Sequence, residues 1–132
     1  MKLSQNFTLA ELTVTSVKAP NIPNEEQIKN LQALVDNVLQ PLRELYGKPI
    51  RINSGFRSLE VNKKVKGAPK SQHMRGEAVD ISCENNALLF RLVRDGFDFD
   101  QLLWEKGNDI QPAWVHVSFS RTKNKKQILR IK

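Results

Sequence analysis

The chain is poor in the residues that staple or anchor small proteins. It has one cysteine, Cys83, in 132 residues. An internal disulfide is therefore excluded, and so is a structural metal site built from several thiolates. No long apolar run occurs, so no segment is suited to a membrane-spanning helix and no membrane insertion is expected. The opening Met1-Lys-Leu-Ser-Gln-Asn-Phe7 lacks the apolar stretch of a secretory signal. The chain is thus expected to be made in the cytoplasm without a signal peptide. The basic run Arg121-Thr-Lys-Asn-Lys-Lys126 has no interleaved aromatics and no nucleic-acid motif. It reads first as a solvated turn or strand end and second as a polymer-facing patch, and no nucleic-acid partner is expected. Histidine is scarce too, with only two in the chain.

What remains is a globular composition. Apolar residues make up 39% and charged residues 27%, which a disordered chain would not show. The length suits one domain over residues 1–132, able to bury a core unaided, and a monomer is expected. The net charge of +7 favours solubility first, and second attraction to an anionic polymer, either nucleic acid or the anionic bacterial wall.

Local signals outline the elements. Thr8-Leu-Ala-Glu-Leu12 reads as a short capped helix, with Glu11 in the capping-box position. Asn24 can cap a long helix to about Tyr46, in which Ile28, Leu31, Val35, Val38, Leu42 and Leu45 form one apolar stripe. Pro41 should kink or divide it. Strands are expected over residues 50–54, 77–82, 99–105 and 113–120, with a last edge strand near 128–131. Short helices are expected over 59–65 and 85–95. Helices come first and strands needing antiparallel partners come later, which is an α+β pattern.

The two histidines lie in segments that suggest a metal site. Side chains alternate faces along a strand. Asp80 then shares a face with Ala78 and Ser82, and His116 shares one with Trp114, Ser118 and Ser120. If the apolar faces pack on helices, Asp80 and His116 enter one groove. Gly76 lets the chain fold His73 back over Asp80. Two imidazoles and a carboxylate suit Zn²⁺ and other divalent transition metals, and three protein ligands leave a position for water. The blander alternative keeps His116 as an ordinary strand histidine and pairs Asp80 with Arg75.

Three segments in order carry a resemblance. Ser71-Gln-His-Met-Arg-Gly-Glu-Ala-Val-Asp80 resembles the Ser-x-His-x-x-Gly-x-Ala-x-Asp signature of the zinc D-Ala-D-Ala carboxypeptidase family, peptidase family M15. Ser54-Gly-Phe-Arg-Ser58 is similar to its Ser-Gly-Tyr-Arg-Ser segment, and Trp114-Val-His116 to its closing Trp-x-His strand. The resemblance extends to Phe7–Leu12 and Leu39–Arg43, and points to the small single-domain branch found in bacteria and their phages. It implies a hedgehog/DD-peptidase fold, an antiparallel sheet with helices on one face and a zinc groove on the other. It implies one Zn²⁺ per chain held by His73, Asp80 and His116. Peptidoglycan stem peptide is the implied substrate, cleaved as by a D-Ala-D-Ala carboxypeptidase or a DD-endopeptidase. The protein would then act on the bacterial cell wall, as a phage or prophage product.

The chain departs from the family pattern at the base. Several relatives carry an acid three residues before the second histidine, where this chain has Ala113. Glu105 is the expected substitute, provided that a hairpin sets it opposite Trp114; a one-residue slip would turn it to the other face. Asp109 is the next candidate and Asp100 a weaker one. Arg57 is expected to bind the oxyanion or a substrate carboxylate. Ser71, Gln72 and Trp114 are expected to contact substrate, with loop solvation and core packing as their ordinary alternatives. The absence of an acid at Ala113 favours a competing expectation, a non-catalytic zinc-containing cell-wall-binding or phage structural module.

Overall fold

Capping chemistry starts the helices. In the computed structural model, which describes residues 1–132, Thr8 precedes helix α1 (Leu9–Leu12). Its Oγ1 accepts from the Glu11 N–H, and the Glu11 carboxylate accepts from the Thr8 N–H. Asn24 and Gln27 make the same exchange at the start of α2 (Glu25–Leu34). Each cap satisfies two N–H groups that lack helical partners.

Pro41 has no N–H to give the Asn37 carbonyl, and its ring crowds that carbonyl. The helix widens into a π turn over Val35–Leu39, where the Gln40 N–H reaches the Val35 carbonyl, and resumes as α3 (Gln40–Tyr46). The wider turn shifts the apolar face by one residue. Leu31, Val35, Val38 and Leu42 are buried as the spacing predicts, but Leu45 is 60% exposed and Tyr46 packs against the core instead.

The remaining elements are β1 (Arg51–Ser54), α4 (Leu59–Lys64), a 3₁₀ turn (Gln72–Arg75), β2 (Ala78–Ser82), α5 (Asn86–Gly96), β3 (Gln101–Glu105), β4 (Trp114–Ser118) and β5 (Gln127–Ile131). The strands form one sheet in the order β1-β2-β4-β3-β5. One face carries Val79, Ile81, Leu102, Val115 and Val117, which join Leu31, Leu34, Val35, Val38, Leu89 and Val93 in the core. Burying each such side chain contributes roughly 1.5–3 kcal/mol. The opposite face is left for a groove.

One expectation needs correction. The first four strands pair antiparallel, but β5 runs parallel to β3. Antiparallel pairing brings the exit of β4 beside the entry of β3. Residues 119–126 step past β3, and the Lys126 N–H bonds the Phe99 carbonyl at 2.9 Å. The last strand therefore starts where β3 starts and runs the same way.

Gly76 shows why the turn before β2 needs glycine. Its φ is +75°, and a Cβ there would lie 2.5 Å from the Gln27 carbonyl oxygen. We expect Gly76→Ala to cost more than about 1–2 kcal/mol, from the left-handed backbone alone. Urea denaturation of the two proteins measures it, and an unchanged midpoint would contradict the fit of this turn against α2.

Candidate metal centre

Register assembles the centre. β2 and β4 pair with Asp80 opposite His116, and β3 and β4 pair with Leu103 opposite His116 and Glu105 opposite Trp114. β1 adds Ser54 opposite Asp80, past an irregularity between Ile52 and Ser54. Side chains directly opposite share a face. One row across the sheet therefore reads Ser54, Asp80, His116, Leu103.

His73 comes from the 3₁₀ turn. The Ser71 hydroxyl caps this turn by accepting from the His73 N–H, and Gly76 closes it. The His73 Nδ1 lies 2.8 Å from the Gly55 carbonyl oxygen, and the Arg57 N–H donates to the His73 carbonyl at 3.0 Å. These bonds stitch the Ser54–Ser58 segment to the turn. Gly55 is required there, because a Cβ would lie 2.3 Å from the Leu12 carbonyl oxygen.

His73, Asp80 and His116 are all buried, and one donor atom from each lies within 4.8 Å of the others. A carbonyl only accepts, so the His73 Nδ1 must carry the proton facing Gly55. In a neutral imidazole its Nε2 is then a bare lone pair, 3.4 Å from Asp80 Oδ2. Two acceptors facing each other in a buried site repel, and a cation between them turns repulsion into ligation. The His116 Nδ1 is 3.0 Å from Asp80 Oδ1, while its Nε2 is buried with no partner. These residues fit a metal ion, and the Gly55 carbonyl fixes the tautomer of one ligand in the way that outer partners of metal histidines do. The Arg75 alternative fails: Arg75 pairs with Glu77.

Burial would raise the Asp80 pKa, but the His116 and His73 rings beside it outweigh burial and hold the carboxyl well below the usual carboxylate range. Arg57 stands on the other side, with Nη2 3.5 Å from Asp80 Oδ2. Its Nε donates to Ser54 Oγ and its Nη1 to Asn62 Oδ1. Asn62 is itself buried and donates to the Ala68 carbonyl. The guanidinium is thus set in place rather than loose on the surface.

A cavity of about 350 Å³ opens over this group. Arg57, Ser71, Gln72, His73, Asp80, Glu105, Trp114 and His116 line it, together with Ala68, Lys70, Gln101 and Leu103. The structure therefore gathers the three expected ligands, the favoured base Glu105 and the expected substrate contacts Arg57, Ser71, Gln72 and Trp114 around one cavity. Glu105 is half-buried. Desolvation and the Asp80 charge raise its pKa, against the opposing pull of His116, Lys106 and His73. Lys106 does not pair with it and instead donates to the Lys132 carbonyl. Ala113 gives its N–H to the Glu105 carbonyl at 2.9 Å, so the acid missing at Ala113 and the acid present at Glu105 are neighbours across one hairpin. Asp109 lies elsewhere, paired with Arg130. Trp104 turns to the helix side, edge-on to Phe90.

Asp100, the weaker candidate base, does not line the cavity. It lies one residue before β3, where strand alternation does not hold. Its Oδ2 accepts from Gln72 Nε2 at 2.7 Å and its Oδ1 from the Lys125 N–H. It orients the residue next to His73, a role no local pattern discloses.

The family model described as Peptidase M15 matches residues 5–118. The chain belongs to the peptidase M15 family. The M15 match ends with β4, so residues 119–132 and β5 lie beyond it. The zinc D-Ala-D-Ala carboxypeptidase of Streptomyces albus G is 40% identical over 78 residues, 58% of this chain and 31% of that protein. This M15 chain thus matches less than a third of that relative's length. The α+β architecture, with helices on one face of the sheet and the three donors on the other, is the one the family resemblance implies.

Proposed function

We propose that this chain is a zinc metallopeptidase that hydrolyses peptidoglycan stem peptides, as a D-Ala-D-Ala carboxypeptidase or a DD-endopeptidase. The observation that carries the reading is the convergence of His73, Asp80 and His116 beneath a cavity that also holds an unpaired Glu105. Their donor set suits one Zn²⁺ per chain. Bound zinc lowers the pKa of its water to about 7 and polarises the scissile carbonyl.

The chain's own groups supply the rest. Glu105 takes the proton of the attacking water and returns it to the departing amine. Its raised pKa brings it nearer to neutrality, where a general base works best. Arg57 keeps N–H groups for the oxyanion or the substrate carboxylate. The Gly55 carbonyl and Ser71 hold the His73 turn, Gln72 is aimed by Asp100, and Trp114 walls the cavity. Residues 1–132 act as one monomeric domain on the bacterial wall, as a phage or prophage product.

Purified peptidoglycan, incubated with the zinc-loaded protein and analysed by mass, tests this. We expect new products that disappear with chelator and return with zinc. Released D-alanine marks the carboxypeptidase, and resolved cross-links mark the endopeptidase. Stoichiometric zinc with no product would defeat the peptidase reading and favour a non-catalytic wall-binding or phage structural module.

A further inference from the structure

The strand beyond the M15 match extends the groove. Parallel pairing sets Gln127 beside Gln101, Leu129 beside Leu103 and Ile131 beside Glu105. Gln101, Leu103 and Glu105 all line the metal cavity. The row that begins at Asp80 and His116 therefore continues through Leu103 to Leu129, and a second row runs from Trp114 through Glu105 to Ile131. Leu129 and Ile131 are 42% and 36% exposed on a strand with no neighbour on its outer side. The Gln101 amide donates to Gln127 Oε1 at 2.7 Å, which fixes the near end of this shelf.

Charge says what the shelf receives. Residues 121–132 hold six lysines and arginines and no carboxylate side chain, whereas the whole chain is only +7. Arg121, Lys126 and Arg130 pair with Glu26, Asp98 and Asp109. Lys123, Lys125 and Lys132 have no such partner. A second copy would bring the same positive strip against this one, which opposes self-pairing. An anionic chain with aliphatic side groups complements both the cations and the apolar shelf.

We propose that β5 forms an outer subsite of the metal cleft, which binds the acidic peptide continuing beyond the bond presented to His73, Asp80 and His116. This rests on the peptidase reading. It favours long, cross-linked substrates over short stem ends.

Two variants separate the contributions: Leu129→Thr with Ile131→Thr, which keeps strand-forming residues, and Lys123→Gln with Lys125→Gln and Lys132→Gln. A control of equal charge change, Lys2→Gln with Lys29→Gln and Arg91→Gln, lies outside the cleft. Zinc-loaded proteins are assayed on a soluble pentapeptide stem and on a cross-linked muropeptide dimer. Loss of the apolar shelf is expected to raise KM for the dimer about tenfold, with kcat kept and the pentapeptide little affected. Loss of the three lysines should raise the same KM several-fold and flatten its salt dependence. The control should track the unsubstituted protein. Equal effects on both substrates, or none on either, would overturn the subsite, and so would concentration-dependent self-association that only the β5 variants abolish. Calorimetric titration of the dimer into Glu105→Gln protein keeps the two readings apart. Tight binding that weakens in the β5 variants, without cleavage of either substrate by the unsubstituted chain, would sink the peptidase reading alone. Binding indifferent to β5 would sink the subsite.

Discussion

Glu105→Gln is expected to lower kcat by about 10²–10⁴-fold, the usual contribution of a positioned general base. The substitution keeps the shape of the side chain and its place opposite Trp114 but removes the site that accepts a proton. Glu105 is not among the three convergent donors, so the metal content should stay near one per chain and KM should change little. That split distinguishes a lost base from a lost site, since a damaged metal centre would lower metal content and activity together. Asp109→Asn should leave kcat nearly unaltered, because Asp109 pairs with Arg130 outside the cavity. Muropeptide kinetics beside elemental analysis measure both. Full activity in Glu105→Gln would remove Glu105 from the mechanism, whatever the fate of the metal.

The features legible in the sequence were those set by local chemistry. Thr8 with Glu11 and Asn24 mark helix starts because a capping side chain acts within three residues. Strand alternation alone put Asp80 on one face of its strand and His116 on one face of another. The Ser-x-His-x-x-Gly-x-Ala-x-Asp spacing tied His73 to the same group. Register was not legible. Whether Glu105 meets Trp114 depends on the hairpin, where Lys106 and Gly107 both adopt positive φ and the Trp104 indole donates to the Asn108 carbonyl. A slip of one residue leaves the alternation intact and reverses the face, so no pattern reveals it. The π turn escaped for a different reason. Pro41 announced a disturbance but not its form, and the one-residue shift that exposes Leu45 follows from the form. Asp100 and β5 depend on which strand ends lie together in space, and the motif spacing holds no record of that.

Zinc is expected to raise the melting temperature of the metal-free protein by about 8–24 °C, and His116→Ala to abolish the increase. A ligand at a thousand times its Kd stabilises the folded state by about 4 kcal/mol. Each kcal/mol moves the midpoint of a chain of this size by roughly 2–6 °C. The effect should be large here because the metal-free centre is poorly satisfied: the His116 Nε2 has no partner, and the His73 Nε2 faces a carboxylate. Removing one imidazole leaves two donors, too few for a closed site. Asp80→Asn should weaken the increase as well, because it exchanges an anionic ligand for a neutral one while keeping the shape. Metal binding displaces protons from its ligands, so the increase should shrink as the pH falls. Calorimetric melting with and without zinc, at several pH values, reads this independently of any activity. An equal increase in His116→Ala would mean that the stabilising ion sits elsewhere on the chain. Glu105 would then have no bound cation beside it, and its carboxylate would lose the neighbour that gives a base at that position its purpose.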